Sequence, residues 1–264
     1  MPHEFDGKKY KKVSRHQKEW GNKIISELSL KGTEKILDLG CGDGVLTANL
    51  AQLVPNGKVV GVDASEGMIK EAKKIQLENL TFIKADIDNL QLNEKYDIVF
   101  SNATLHWVKD HKKLISTLLS LINNGGIVRL NFASDGNCSN FFAVVKNEIE
   151  SKKYSEYFKA FVWPWYMPKI NEYKELLNSF KIQSLEVWEE NSDRYFPDKD
   201  TIINWVDQPS IAPFLKYIND KELKPEFRNT VVKKVVERTL QSNGTCFETF
   251  RRINVRFTKQ VCKM

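Results

Sequence analysis

The stretch "KILDLGCGDGVLTANL", residues 35–50, carries three glycines at alternate positions, Gly40, Gly42 and Gly44. An apolar run precedes them and an apolar, helix-like run follows, which predicts a buried strand, a glycine turn and a helix. Glycine lets the backbone come close to a ligand that a Cβ atom would push away. This order of elements is typical of nucleotide-binding proteins, so the stretch predicts a nucleotide site.

The spacing of the glycines limits which nucleotide fits. A dinucleotide fingerprint needs glycine at the first, third and sixth places, and Val45 occupies the sixth place here. No Lys-Ser or Lys-Thr pair follows the glycines, which excludes a P-loop and its Mg²⁺-triphosphate site. An adenosine ligand without phosphates fits the pattern best, and S-adenosylmethionine is the common one.

The rest of the first half alternates short apolar runs with helix-like stretches. Helices are predicted over 15–30, over 110–122 and in "SEGMIKEAKKI", where Ser65 is placed as the cap. Strands are predicted at "KVVGVD", "NLTFIKAD", "YDIVFSN" and "GIVRLNF". This alternation predicts parallel βαβ units in a doubly wound α/β sheet that is covered on both faces.

After Asn131 the pattern changes to longer helical and aromatic stretches. Eight aromatic residues lie between Tyr154 and Tyr173, and they suit either a core or an apolar lid that excludes water. The last element is predicted as one long alternating strand, "TCFETFRRINVRFTK" at 245–259. We therefore expect the last strands of the sheet with a largely helical insertion between them. The other elements predicted here are a helix over 139–152, a strand around 180–188 and helical segments over 199–240.

The bulk composition excludes several classes of protein. The net charge of +6 suits an anionic small substrate, and no block of like charge indicates nucleic-acid recognition; "KKYKK" at 8–12 is interpreted as a solvated arm. No apolar stretch indicates a signal peptide or a membrane span, so a cytoplasmic protein is expected. The cysteines, which have no metal-ligand spacing, are Cys41, Cys138, Cys246 and Cys262.

Polar side chains follow the predicted strands where each one ends. Ligands of parallel α/β sheets bind at these carboxyl ends. Asp63 follows the second strand, where a carboxylate can accept both hydroxyls of a ribose, and Asp86 follows the third, spaced to accept from an exocyclic amine. "SNATLHW" follows the fourth strand.

Together these motifs resemble one known family. "LDLGCGDG", "VVGVDAS", "KAD" and "VFSNATLHWV" occur in the order and at the spacing of the class I S-adenosylmethionine-dependent methyltransferases, and are most similar to the trans-aconitate methyltransferase group. The resemblance implies a Rossmann-like, mostly parallel seven-stranded sheet with a helical lid insertion. It also implies a single continuous domain, in which 1–135 forms an N-terminal lid and the cofactor-binding core. Residues 136–264 would then supply the remaining strands and the substrate lid.

The resemblance further implies roles for individual residues. The backbone of Gly40 and Gly42 would hold the methionine end of the cofactor, with Asp38 organising the turn. Asn102 would contact the methionine amino group, and "YKKVSRHQKEWG" would be a lid in which Gln17 and Trp20 cover the cofactor. The ribose and adenine contacts would come from Asp63, Ala64, Met68, Asp86 and Ile87.

The residues expected on the acceptor side are less determined. His106 beside Trp107 is either a core histidine or a residue over the substrate pocket, and Trp165 and Tyr166, between two prolines, are placed nearest that pocket. In the long last strand, Arg251 shares the parity of its apolar residues, whereas Arg252 has the other parity. An arginine on an apolar face needs an anionic partner, which is either an internal salt bridge or a substrate carboxylate.

The expected reaction is methyl transfer to a small molecule. A carboxylate acceptor is ionised at neutral pH and needs no general base, whereas an amine or a phenol would need one, with His106 as the first candidate. We expect O-methylation of a carboxylate with His106 and Arg251 in the catalytic site and no metal. The alternatives are transfer to nitrogen, a phenol or carbon, or a non-catalytic S-adenosylmethionine-binding protein. The oligomeric state stays open.

Overall fold

The computed structural model describes residues 15–260. The basic cluster at 8–12, the start of the expected lid at 10–14 and Cys262 lie outside the described residues. The chain divides into two compact units. The first unit contains the residues up to Asp135, Trp165–Glu190 and the chain from Arg252 onwards, and the second contains Gly136–Pro164 and Asn191–Arg251. Two segments beyond residue 135 therefore belong to the same unit as the residues that precede it.

The first unit is built on a sheet that has seven strands within the described part of the chain, which confirms the predicted fold class. Its strand order is β3-β2-β1-β4-β5-β9-β6. The neighbours β1 to β5 pair in parallel, and β9 pairs antiparallel with β5. The strands are β1 Lys35–Leu39, β2 Lys58–Asp63, β3 Leu80–Lys84, β4 Tyr96–Asn102, β5 Ile122–Ala133, β6 Ile182–Asn191 and β9 Arg251–Lys259.

Helices cover both faces of this sheet, because its strands are apolar on both sides. Alternate residues of β1 enter different clusters, Leu37 and Leu39 in one core and Ile36 in another. Ser65 caps the helix after β2 as predicted, accepting a hydrogen bond from the backbone nitrogen of Met68. The helices of this unit are α1 Arg15–Ser26, α2 Val45–Leu53, α3 Glu66–Ala72, α4 His111–Leu121 and α6 Ile170–Asn178.

The second unit has an aromatic core of its own. The Phe141 ring packs against those of Trp205 and Phe214, with centroid distances of 5.8 and 6.2 Å. Phe158 stacks on Tyr217. Of the eight aromatic residues at 154–173, Tyr154, Phe158, Trp165 and Tyr173 are buried and therefore belong to core packing, one of the two interpretations that the sequence left open. The elements are α5 Ser139–Ile149, β7 Arg194–Phe196, α7 Lys199–Trp205, α8 Ala212–Leu215, α9 Leu223–Thr239 and β8 Cys246–Glu248.

The predicted long last strand is wrong, because the structure divides it. Its first part, β8, pairs with β7 in a two-stranded sheet, whereas β9 joins the large sheet. Between them the carbonyl of Thr249 accepts a hydrogen bond from the backbone nitrogen of Cys138, and the backbone nitrogen of Phe250 donates to Asp193. These contacts hold the break, which local alternation of apolar residues does not reveal.

Candidate active site

The glycine turn after β1 adopts a backbone that only glycine accepts easily. Gly40, Gly42 and Gly44 have φ angles of 75°, 56° and 80°. A Cβ atom on Gly40 would lie 2.1 Å from the side chain of Thr104, whereas one on Gly42 would meet no atom within 4 Å. The first glycine is therefore required by packing against the chain that follows β4. The second faces open space, where a ligand can approach the backbone.

Asp63 fastens this turn to the end of β2. One carboxylate oxygen accepts from the backbone nitrogen of Gly42 at 3.0 Å, and the other accepts from that of Ser65 at 2.9 Å. The carboxylate is thus fixed at the ligand edge of the sheet, beside the half-buried Ala64. Met68, one turn into α3, is buried behind it.

Asp38 lies inside the fold below the turn. Its side chain is 2% exposed and accepts a 2.7 Å hydrogen bond from the hydroxyl of Thr47 in α2. Burial, together with the charge of Asp63, raises the pKa of Asp38 to about 7. This carboxyl group therefore joins β1 to α2 inside the fold. Its role in organising the glycine turn stays a prediction.

Asp86 begins the turn that follows β3. It accepts a 3.0 Å hydrogen bond from the backbone nitrogen of Asp88 and so starts the short 3₁₀ turn Ile87–Asn89. Ile87 is buried, and Asp86 is half-buried at the same edge of the sheet as Asp63. The backbone and carboxylate of Asp86 thus lie just after the end of β3, where the sequence analysis predicts adenine recognition.

Two buried side-chain oxygens lie at the end of β4 without a hydrogen-bond partner among the described residues. They are Oδ1 of Asn102, the last residue of β4, and Oε1 of Gln17, which lies on α1. The Asn102 amide donates to the backbone oxygen of Gln17 at 2.8 Å, which holds α1 against β4. A buried acceptor without a donor is costly, so both atoms suit a ligand that brings N–H groups. An ammonium group, such as that of a methionine moiety, has this chemistry.

α1 also contacts the glycine turn through an ion pair. The ammonium of Lys18 lies 2.7 Å from a carboxylate oxygen of Asp43, whose side chain is only 7% exposed. The sequence analysis did not identify this pair, because nothing in a short motif connects residues 25 positions apart. This ion pair is the second contact described for the start of α1, besides the Asn102–Gln17 hydrogen bond, with the residues that follow the strands.

The expected acceptor-side residues are brought together around His106. The Trp107 and Trp165 rings have centroids 5.2 Å apart, and the backbone nitrogen of Tyr166 donates to the His106 carbonyl at 2.8 Å. Nδ1 of His106 is buried without a hydrogen-bond partner among the residues that the structure describes. Burial of the ring, with added repulsion from Arg252, lowers the pKa of His106 to about 3. Its imidazole is therefore neutral at pH 7.

A second histidine, which the sequence analysis did not single out, holds this turn in place. Nε2 of His111 lies 3.0 Å from the Leu105 carbonyl, so it carries the proton and donates. Nδ1 then accepts from the Tyr173 hydroxyl at 2.8 Å. Burial lowers the pKa of His111 to about 4, so the neutral tautomer persists at physiological pH. His111 fixes the 3₁₀ turn Leu105–Trp107 that carries His106.

The expectation that Arg251 lies on an apolar face is wrong. Arg251 forms an ion pair with Asp193 inside the second unit, and both side chains are about one-third exposed. This is the internal salt bridge that the sequence left open. Arg252, the next residue, is buried instead, with 3% exposure. The parity argument failed because both faces of β9 are buried: Arg252 and Asn254, on the face opposite to Ile253, are 3% and 1% exposed. Arg251 is the first residue of the strand and lies outside the register that pairs β9 with β5.

Neither a metal site nor a membrane span is found in the part of the chain that the structure describes. No cluster of His, Cys, Asp and Glu between residues 15 and 260 is arranged to hold a metal ion. Within the same residues, no helix is long and apolar enough to cross a membrane.

Comparison with known proteins gives the same assignment as the motifs. The family described as "Methyltransferase domain" matches residues 30–204. Trans-aconitate 2-methyltransferase of Shigella dysenteriae is 27% identical over 230 residues, which cover 87% of this chain and 88% of the relative. A trans-aconitate 2-methyltransferase of Escherichia coli O1:K1 is 28% identical over 231 residues, with the same coverage of both chains.

Solved structures match the fold at lower identity. The YcgJ protein of Bacillus subtilis superposes with a TM-score of 0.61 at 15% identity and covers 93% of this chain and 99% of its own. Phosphoethanolamine N-methyltransferase 2 of Haemonchus contortus gives 0.58 at 18% identity, covering 92% of this chain and 53% of its own. With the family match over residues 30–204, these findings establish that the chain belongs to the methyltransferase domain family and is a class I S-adenosylmethionine-dependent methyltransferase.

Proposed function

We propose that this enzyme methylates a carboxylate oxygen of a small organic acid. The observation that carries the proposal is the state of His106. Its ring lies beside the ends of β4 and β5, its Nδ1 is enclosed, and its pKa of about 3 makes it a poor proton acceptor at pH 7. An ammonium or phenol acceptor must lose a proton, whereas a carboxylate is already ionised. The trans-aconitate 2-methyltransferase relatives support the same acceptor class.

The proposed cofactor site uses the edge formed by β1 to β4. The backbone of Gly40 and Gly42 would receive the methionine carboxylate end, and the orphaned oxygens of Asn102 and Gln17 would receive its ammonium group. These assignments extend the family resemblance and are supported by the geometry described above. Asp63 would accept from the ribose hydroxyls. The adenine would lie near Ala64, Met68, Asp86 and Ile87, and Trp20 of α1 would help to cover the cofactor.

S-adenosylmethionine, when bound, supplies a methyl group activated by a sulfonium centre. The chain itself has to align a carboxylate oxygen with that methyl group and keep water away. A carboxylate acceptor would need no proton removed before the transfer, so His106 would not have to act as a base. Trp107, Trp165 and Tyr166 would enclose the acceptor, and the neutral His106 can exchange one hydrogen bond with it. A cytoplasmic location and the absence of a nucleic-acid partner stay predictions from the sequence.

A screen of acceptors tests the proposal. The enzyme is incubated with S-adenosylmethionine carrying a deuterated methyl group and with panels of carboxylic acids, phenols and amines, and products are identified by mass. We expect labelled products in the carboxylic-acid panel, trans-aconitate included, with the largest turnover there. Label found only in the amine or phenol panel would contradict the proposal. Asp63→Asn should lose turnover with every acceptor, which separates a cofactor defect from an acceptor preference.

A further inference from the structure

The residues after β4 join two turns of the proposed site. One is the glycine turn after β1, on the proposed cofactor side, and the other is the 3₁₀ turn Leu105–Trp107, the acceptor turn, on the proposed acceptor side. Only Ala103 and Thr104 separate the end of β4 from the acceptor turn. The contacts of these two residues therefore determine how the acceptor turn lies relative to the glycine turn.

Ala103 has a backbone conformation that its surroundings must hold. Its φ angle is 57°, in the left-handed region that residues other than glycine rarely adopt. Its backbone nitrogen donates to the carbonyl of Asn131, in β5, at 2.8 Å. The chain thus bends directly after Asn102, and the next residue, Thr104, contacts the end of β1.

Thr104 forms hydrogen bonds with both turns. Its Oγ1 lies 3.1 Å from the carbonyl oxygen of Gly40 and 3.3 Å from that of Asn102. A hydroxyl donates one proton at a time, and the Gly40 oxygen is the nearer acceptor. The carbonyl of Thr104 accepts from the backbone nitrogen of Trp107 at 3.0 Å, which closes the acceptor turn.

The packing around this hydroxyl is close. A Cβ atom on Gly40 would overlap Cβ, Oγ1 and Cγ2 of Thr104, so the two backbones approach only because residue 40 is glycine. A second hydroxyl joins the same strands next to it, since the fully buried Ser101 donates to the Leu39 carbonyl at 2.7 Å. Two hydroxyls at the end of β4 therefore hold two successive carbonyls at the end of β1.

This connection is relevant to the rate of a transfer between two bound molecules. Such a rate depends on how the two molecules are aligned, and a misplacement of about 1 Å can cost about 100-fold. The glycine turn belongs to the proposed cofactor site, and the acceptor turn carries His106 and Trp107. Thr104 joins these two turns directly, through its hydroxyl on one side and its carbonyl on the other.

We propose that Thr104 is a positioning residue for methyl transfer, which holds the acceptor turn at a fixed place relative to the glycine turn. This inference rests on the proposed placement of the cofactor and the acceptor, and not on whether the acceptor is an acid. Each turn keeps its own binding groups when the Thr104 hydroxyl is removed. The variant should therefore slow the transfer step more than it weakens the binding of either molecule.

The test compares Thr104→Val and Thr104→Ser with the wild type, using the acceptor of highest turnover in the panels described above. Valine keeps the shape without the hydroxyl, whereas serine keeps the hydroxyl. The readout is the first-order rate constant of a single turnover with saturating enzyme, which reports the transfer step rather than the fraction of folded enzyme. We expect Thr104→Val to lower it by about 10- to 100-fold. Thr104→Ser should restore most of the rate, and the Kd for S-adenosylhomocysteine should change less than the rate.

Thr239→Val is the matched control. Thr239, the last residue of α9, is buried, and its hydroxyl also donates to a backbone carbonyl, that of Val235, at 2.7 Å. This variant should lower the free energy of unfolding and keep the wild-type single-turnover rate. The control therefore separates the loss of a buried hydroxyl from the loss of positioning.

The outcomes separate this inference from the proposed function. A wild-type single-turnover rate in Thr104→Val, or a Thr104→Ser variant as slow as Thr104→Val, would overturn the inference. A Kd for S-adenosylhomocysteine that rises as much as the rate falls would also overturn it, since Thr104 would then act on cofactor binding. Methylation of amines or phenols and of no acid would overturn the proposed function alone, and the rates with that acceptor would still decide the inference. If Thr104→Val does not fold, Thr104→Ala against Thr104→Ser tests the same hydroxyl.

Discussion

The cofactor side and the acceptor side of this site are built differently. On the cofactor side, the ends of β1 to β4 each carry their own short motif, and every proposed contact lies within a few residues of a strand end. On the proposed acceptor side, the turn that carries His106 is held by His111, which bonds Tyr173 62 positions away, and by the backbone of Tyr166. The comparison teaches that local turn chemistry encodes the proposed cofactor site, whereas long-range contacts shape the proposed acceptor site. Variants on each side should therefore fail in different ways.

The largest expected effect separates two glycines of the same turn. Gly40→Ala combines a strained φ of 75° with a Cβ atom 2.1 Å from Thr104, so we expect a loss of about 2–5 kcal/mol in the free energy of unfolding. Gly42→Ala has strain but no clash, so about 1–2 kcal/mol is expected, together with weaker cofactor binding. Urea unfolding and calorimetry with S-adenosylhomocysteine measure both. Equal losses in the free energy of unfolding would contradict the inference that Gly40 is required for packing and Gly42 for the approach of a ligand.

A pH effect on stability tests the buried carboxyl group below the turn. The pKa of Asp38 is about 7 in the folded chain and about 3.9 when unfolded, so the folded state binds more protons between these values. Stability should therefore fall as pH rises from 4 to 7, by on the order of 3 kcal/mol from this group, and not above pH 7. Asp38→Asn cannot ionise. Denaturation at several pH values should show its stability relative to wild type increasing over the same window, and a constant difference would contradict the assignment.

A moderate loss of cofactor affinity is expected when Asp63, on the cofactor side of the site, is replaced. Asp63→Asn removes the charge and one acceptor oxygen, so the affinity for S-adenosylhomocysteine should fall by about 1–3 kcal/mol. Asp110→Ala is the control, since Asp110 caps α4 by accepting from the backbone nitrogen of Lys113 at 2.8 Å and alanine cannot replace this contact. It should lower stability and leave the affinity intact. Similar affinity losses in both variants would mean that Asp63 acts only through the fold.

The smallest expected effect concerns the attachment of α1. Lys18→Met removes the ion pair with Asp43 and should weaken S-adenosylhomocysteine binding by no more than about 1 kcal/mol. Lys23→Met, on the same helix, removes the more exposed pair with Glu190 and should leave binding unchanged. Hydrogen exchange of α1 with and without ligand gives a second measurement. Protection of α1 that does not respond to the ligand would argue against a covering role for this helix.

Much of the cofactor side was predictable from sequence, because its signals are local. The glycine turn, the Ser65 cap and the order of strands and helices follow from spacing and periodicity, and the sheet confirms them. The acceptor side was not predictable in the same way. Parity pointed to Arg251 because apolar alternation does not reveal that both faces of β9 are buried, with Arg252 and Asn254 on the face opposite to Ile253. The hydrogen bond between His111 and Tyr173 joins residues 62 positions apart, which no short motif encodes.

The central claim, methyl transfer to a carboxylate oxygen, is tested most directly by the chemical stability of the product. The enzyme transfers a deuterated methyl group to the best acid of the panel, and the purified product is then treated with mild alkali. A methyl ester is cleaved by this treatment, whereas N-methyl, aryl ether and C-methyl groups are not. We predict that all of the label is released as deuterated methanol and the original acid is recovered. Label that stays on the acceptor would contradict carboxylate methylation.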